Sequence, residues 1–276
     1  MKKKKTLISI LCVLVFVALI VVGLLIKAGN QPEVISLSER GLSTDGVNLV
    51  AHRGFSAVAP ENTAAAFCEA GKSKFFAAEC DIQLSKDNIW VVNHNRDIEK
   101  MTNGKGSIWD MTYDEISKYN IDDGNFCEKY PNQKLITLDE YLAICDEYKI
   151  VPQIEVKEGN YNCLGDILAA LDKYEDMHET AIIISFDGII LEKIRNLDKE
   201  IELWYLTHEI TEEQIKLSVM NNYAIGFNCM KYDNEMIKKA QDENIKLASW
   251  TVDDLNIYEE LYSLGIRNFT TNRLTK

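Results

Sequence analysis

The chain of 276 residues is 46% hydrophobic and 26% charged, an ordinary globular balance that sets aside a disordered or fibrous protein. Thirty basic against 43 acidic residues give a formal charge of −13, which argues against a nucleic-acid partner, because phosphate backbones demand a basic footprint. Five of the thirty basic residues fall in the first 27 positions, where no acid occurs, leaving 25 basic against 43 acidic residues, a net of −18, for the remainder.

The first element is apolar. After the lysines at 2–5, positions 7–26 run twenty residues with Ser9 as the one polar side chain, enough to cross a hydrocarbon core about 30 Å thick. Basic residues stay on the cytoplasmic side. Residues 1–27 are therefore expected to form a cytoplasmic basic cluster and a single-pass transmembrane anchor, placing the rest of the chain at the cell membrane on the extracellular side. A cleaved signal peptide is the alternative, but it wants a shorter apolar core and an Ala-x-Ala-like site. Six cysteines (Cys68, Cys80, Cys127, Cys145, Cys163, Cys229) lie beyond the anchor; outside the cell they permit disulfides, while their wide spacing reads more simply as small buried thiols.

Residues 28–46 read as a polar linker. From position 47 to the end, short apolar runs alternate with helical stretches, which is the βα beat. Strands are predicted at 48–52, 77–83, 151–156, 181–186, 202–206, 223–228, 246–252 and 267–271. Helices are predicted at 63–70, 164–174, 187–196, 211–220, 234–243 and 255–264, each opening near a Thr, Asp or Asn able to cap it. Eight strands with crossover helices predict a (β/α)8 TIM barrel over 47–276. One interval breaks the beat: an insertion at about 85–148, after the second strand, with an extra strand at 89–93 and short helices at 107–119 and 138–148. Loops leaving barrel strands build the active-site face, so this insertion is expected to shape the pocket.

The strand ends carry the chemistry. His52 and Arg53 close the first strand. Glu79 and Asp81 lie two apart in the second, so the pleat turns both to one face while Cys80 and Ile82 point to the other. Glu155 and Lys157 repeat that spacing in the third. Three carboxylates at one barrel end suit a hard divalent cation, Ca²⁺ or Mg²⁺, better than zinc. All three sit in otherwise apolar strands, where an uncompensated charge is expensive. His94 follows the extra strand and brings a second imidazole. His178 reads as a surface residue, and His208, after the fifth strand, as a residue able to line the pocket. Trp250 is open to two readings, a core residue or an aromatic wall.

Val50-Ala51-His52-Arg53-Gly54, Pro60-Glu61-Asn62-Thr63 with Ala66-Phe67, Glu79-Cys80-Asp81 through Asp87, Val92-Asn93-His94, Glu155-Val156-Lys157 and Trp250-Thr251-Val252 follow one another along the chain. In that order they resemble the motifs of the glycerophosphodiester phosphodiesterases. The resemblance implies a TIM barrel and metal-dependent hydrolysis of a glycerophosphodiester to an alcohol and glycerol phosphate. It implies metal ligation by Glu79, Asp81 and Glu155, acid–base catalysis by His52 and His94, and phosphate or substrate binding by Arg53, Lys157 and Trp250, with Glu61 supporting. Two departures stand out: Asn95 where the family has Asp after the second histidine, and Thr271-Asn272-Arg273-Leu274 where it has a TDRP-like end. Two other readings compete, a lysophospholipase-D-like hydrolase acting on lipid or teichoic-type phosphodiesters and a catalytically inactive envelope module that binds them. A mere binder needs no pair of proton-transfer groups. Oligomeric state is not legible in the sequence.

Overall fold

The computed structural model describes residues 31–276, and the expected anchor at 7–26 lies outside them. Among the described residues no helix is long and apolar enough to cross a membrane. In chain order the strands are β1 (Ile35–Ser36), β2 (Asn48–Ala51), β3 (Ala77–Leu84), β4 (Trp90–Val92), β5 (Val151–Val156), β6 (Ile182–Ser185), β7 (Glu202–Thr207), β8 (Tyr223–Asn228), β9 (Leu247–Trp250), β10 (Asn268–Thr271) and β11 (Leu274–Thr275). The α-helices are α1 (Ala64–Lys72), α2 (Tyr113–Ile116), α3 (Leu138–Tyr148), α4 (Leu164–Leu171), α5 (Met177–Thr180), α6 (Gly188–Leu197), α7 (Glu212–Asn221), α8 (Asn234–Asp242) and α9 (Leu255–Ser263).

Eight parallel strands close on themselves in the order β2-β10-β9-β8-β7-β6-β5-β3, with β3 returning to β2. The pleat sorts their residues. Ile183, Leu203, Ile225 and Phe227 point outward into the core beneath the helices, while Ile182, Ile184, Trp204, Leu206, Ala224 and Ala248 fill the lumen. In β3, Cys80 and Ile82 join the outer core. Glu79, Asp81 and Gln83, out of phase with them, are left for the lumen side, and Asp81 pairs in register with Glu155 of β5.

Helix starts follow their caps. Thr137 and Thr211 form reciprocal capping boxes with Glu140 and Gln214, and Asp187, Asp233 and Asp254 accept first-turn amides. The helix expected at 107–119 is broken in two. Met111 is extended, and Thr112 with Glu115 starts a fresh capping box, so a 3₁₀ turn (Ile108–Asp110) is followed by the short α2. The insertion adds β4 antiparallel to the end of β3 and has its own apolar core around Val91, Ile98, Ile108, Ile116 and Leu135. The expected linker at 28–46 is also corrected at its far end. Ile35 and Ser36 pair with Leu274 and Thr275, Leu37 is fully buried, and the Tyr258 hydroxyl donates to Ser43 O at 2.6 Å, because the apolar side chains at 35 and 37 join the main core together with Leu274. All six cysteines among the described residues are free thiols.

Candidate active site

The turn leaving β2 is built for close approach. Arg53 and Gly54 both take left-handed backbone, and a Cβ on Gly54 would lie 2.7 Å from the Ala66 carbonyl carbon, so only glycine fits there. The turn aims the Arg53 N–H at Glu79 Oε2, 2.7 Å away. Asn62, also left-handed, donates from Nδ2 to Asp81 Oδ2 at 2.8 Å and accepts the Asp81 N–H at 3.3 Å, locking the motif loop to β3.

Around these backbones the charged side chains converge. Glu79, Asp81 and Glu155 are buried, and each offers an oxygen within 4.8 Å of the other two. Arg53 Nε lies 3.3 Å from Asp81 Oδ2, and Lys157 Nζ lies 2.6 Å from Glu155 Oε1 and 3.3 Å from Asp81 Oδ1. Glu61 accepts from Arg53 Nη1 and from Lys100 Nζ, both at 3.0 Å, so a lysine of the insertion is tied to the motif arginine. Burial and the neighbouring Asp81 push Glu155 up to about 7. Burial, then Asp81 and Glu155, raise Glu79 well above the carboxylate range. For Asp81 burial is outweighed by Lys157 and Arg53, which hold it ionised. Glu79 Oε1 is buried without a hydrogen-bond partner. An all-oxygen triad with one orphaned oxygen fits a hard divalent cation, which would offset the burial and the mutual repulsion that raise Glu79 and Glu155.

His52 and His94 line the same cavity, about 610 Å³ in volume, together with Arg53, Glu79, Glu155 and Lys157. His52 Nδ1 donates to Asn272 Oδ1 at 2.8 Å, and His94 Nδ1 pairs with Asn95 Oδ1 at 2.9 Å. Both departures from the family pattern thus sit directly behind the histidines, as amides. Burial followed by the Arg53 charge lowers the pKa of His52, and burial also lowers that of His94. Each ring is thereby favoured in its neutral form.

The far wall of the cavity is apolar, made by Ile184, Phe186, Trp204, Leu206 and Trp250. Trp250 belongs to this wall: its ring meets Phe186 edge-on at 5.4 Å, and its Nε1 donates to Gly226 O at 3.1 Å. His208 joins the wall 5.7 Å from Trp250. His178 lies elsewhere, bridging Asp172 and Asp198. Several lining residues escaped the sequence reading. Gln83 continues the Glu79, Asp81 alternation, a signal that was available, and its Oε1 accepts from Trp109 Nε1 at 3.0 Å, holding the insertion over the cavity. Arg96 stacks on that Trp109, 3.8 Å from the ring centroid. Nothing in the sequence marks either as near the site.

The model of the glycerophosphoryl diester phosphodiesterase family matches residues 52–276. A glycerophosphodiester phosphodiesterase of Caldanaerobacter subterraneus subsp. tengcongensis is 29% identical over 231 residues, covering 81% of this chain and 93% of the relative. One from Bacillus subtilis is 27% identical over 261 residues, covering 86% and 88%. Among solved structures, an Oleispira antarctica phosphodiesterase in complex with the product sn-glycerol-3-phosphate superposes with a TM-score of 0.77 at 22% identity, covering 87% of this chain and 96% of that one.

Proposed function

The chain belongs to the glycerophosphoryl diester phosphodiesterase family and is a glycerophosphodiester phosphodiesterase, and from that premise we propose a cation-dependent hydrolysis at the outer face of a membrane in which His52 and His94 move the protons. The observation that carries it is the meeting, at one cavity, of Arg53, Lys157, two imidazoles whose Nδ1 atoms are held by amides, and a carboxylate triad of which Glu79 and Glu155 line the cavity. Glu79, Asp81 and Glu155 would hold a Ca²⁺ or Mg²⁺ ion, which when bound supplies positive charge beside the phosphate.

Arg53 and Lys157 neutralise the phosphate from the protein side. One histidine, neutral because its pKa is lowered, takes the proton of the nucleophile, either water or the glycerol 2-hydroxyl, which would give a cyclic phosphate; the other, entering the step as the imidazolium, delivers its proton to the departing alkoxide and is left neutral. Trp250 and its aromatic neighbours receive the uncharged part of the substrate. Because that wall is apolar, a lysophospholipase-D-like action on lysolipids is a second reading, differing only in the alcohol. The lysines at 2–5 and the apolar run at 7–26 support anchoring with the barrel outside.

The test is to incubate the full-length protein with glycerophosphodiesters, lysolipids and glycerol-phosphate polymers, with and without Ca²⁺ or Mg²⁺, and to assay glycerol phosphate. Cation-dependent release supports the reading, and full activity after exhaustive chelation overturns the metal assignment. Protease shaving of intact cells tests the orientation: a barrel cut only after lysis is on the wrong side.

A further inference from the structure

The side-chain amide of Asn272 stands between an imidazole and a carboxylate. Its Oδ1 accepts from His52 Nδ1 at 2.8 Å and from the Ser56 hydroxyl at 2.9 Å, while its Nδ2 donates to Asp253 Oδ2 at 2.6 Å. Asp253 is fixed in turn: its Oδ1 accepts from the Asn272 N–H at 2.8 Å and from the Thr271 hydroxyl at 2.9 Å. An ionised carboxylate can only accept. Turning the amide over would set oxygen against oxygen with no proton between them. Asp253 thus dictates which end of Asn272 meets the histidine. Facing an acceptor oxygen, the Nδ1 of His52 must carry the proton, and the neutral ring presents a bare Nε2. No described residue hydrogen-bonds that Nε2, and the ring lines the cavity.

We propose that Asp253 and Asn272 are positioning residues for the reaction: the carboxylate orients the amide, the amide locks His52 in its Nδ1–H tautomer, and Nε2 is left as the nitrogen that exchanges the proton. When His52 acts on the nucleophile, the O–H bond breaks, Nε2–H forms, and the imidazolium keeps its Nδ1–H on Asn272. In the opposite sense His52 enters as the imidazolium, Nε2–H breaks, the proton passes to the alkoxide, and the neutral Nδ1–H ring is left. The same tautomer is thus the starting form of the base and the end form of the acid. The inference rests on the reading of His52 as a proton-transfer residue. A purely structural tie between the ends of β9 and β10 would not need the amide at all, since Asp253 is already anchored by the Thr271 hydroxyl and the Asn272 backbone.

The tautomer is read directly by long-range nitrogen–proton NMR of the full-length protein labelled with ¹⁵N-histidine, beside steady-state kinetics. Asn272→Leu should erase the Nδ1–H signature of His52 and lower kcat by about 10–100-fold with KM little changed, a part of the roughly 10²–10⁴ that a positioned proton-transfer group contributes. Asp253→Asn frees the amide to turn and should give a mixed tautomer and an intermediate loss. The exchanged pair, Asp253→Asn with Asn272→Asp, sets a carboxylate against Nδ1–H and should recover both the signature and most of kcat, which also separates the effect from misfolding. An unchanged tautomer and kcat in Asn272→Leu, or an exchanged pair no better than Asp253→Asn alone, overturns the proposal. His52→Ala distinguishes its parent: wild-type kcat there would remove His52 from the chemistry altogether, whereas an inactive His52→Ala beside an indifferent Asn272→Leu removes only the relay.

Discussion

The ammonium of Lys157 stands 2.6 Å from Glu155 Oε1 and 3.3 Å from Asp81 Oδ1, against two of the three carboxylates that would hold a cation. In the proposed reaction it would serve the phosphate and compete with the cation. Lys157→Met should therefore act in opposite directions on two observables. Removing a positive charge at this range should tighten Ca²⁺ or Mg²⁺ binding by about tenfold, since such a pair is worth roughly 1 kcal/mol or more even in strongly screened surroundings. Losing it should lower kcat/KM on a glycerophosphodiester. Calorimetric titration and kinetics on one preparation check both, and weaker cation binding in the variant would contradict the competition.

Glu79 is a liability to the fold without a cation. Burial, then the charges of Asp81 and Glu155, raise its pKa well above the ordinary 4.5. The fold thus favours its protonated form, and the destabilisation it causes grows as pH rises through the unfolded-state value. At pH 8 in the presence of chelator, Glu79→Gln should melt higher than the wild type, by about 2–4 °C for each kcal/mol relieved in a chain of this size. Added cation should stabilise the wild type by mass action and leave the variant unmoved. An equal cation-induced rise in both would take Glu79 out of the ligand set.

Much of this was legible because barrel strands obey a period of two. Glu79, Asp81 and Glu155 stood out as acids in phase with one face, and β5 and β8 keep the bounds read for them, 151–156 and 223–228. Caps explain why α3 spans the predicted 138–148, and why 107–119 divides: the capping box at Thr112 is a local signal that competes with the apolar period. The seating of Ile35 and Leu37 was hidden, because their partners come from the other end of the chain. Asn95 and Asn272 were visible as departures, yet their consequence was not, since the Asn272 contact with Asp253 joins residues nineteen apart through loop geometry.

Away from the cavity, His178 joins the ends of three helices. Its Nδ1 meets Asp172 Oδ1 at 2.5 Å and its Nε2 meets Asp198 Oδ2 at 2.7 Å. Burial lowers its pKa, but the hydrogen bonds and charges of the two aspartates outweigh that and raise it above 6.5. A raised folded-state value stabilises in full below the unfolded value and is lost as pH climbs through the folded one. His178→Gln should therefore destabilise the barrel at pH 6 by up to about 1 kcal/mol, the scale of a solvent-accessible ion pair, and by less at pH 9. Urea unfolding at the two pH values measures this; an effect that grows toward pH 9 would contradict the sign.

The two histidines of the cavity should separate by leaving group. His52→Ala and His94→Ala are each expected to lower kcat by about 10²–10⁴ on a glycerophosphodiester with a poor leaving alcohol, the range for proton transfer by a positioned side chain. A residue that only contacts substrate would raise KM and spare kcat. Both rings line the cavity beside Arg53 and Lys157, and both Nδ1 atoms are engaged by amides, so each has a single nitrogen left for the reaction. A p-nitrophenyl ester changes what is required, because p-nitrophenolate departs without a proton. The variant that lacks the general acid should recover most of its rate on that substrate, and the variant that lacks the general base should stay impaired, since the nucleophile still has to lose its proton. Recovery of both variants would mean that neither ring acts on the nucleophile. Near-wild-type kcat for both on the natural diester would return His52 and His94 to a structural role.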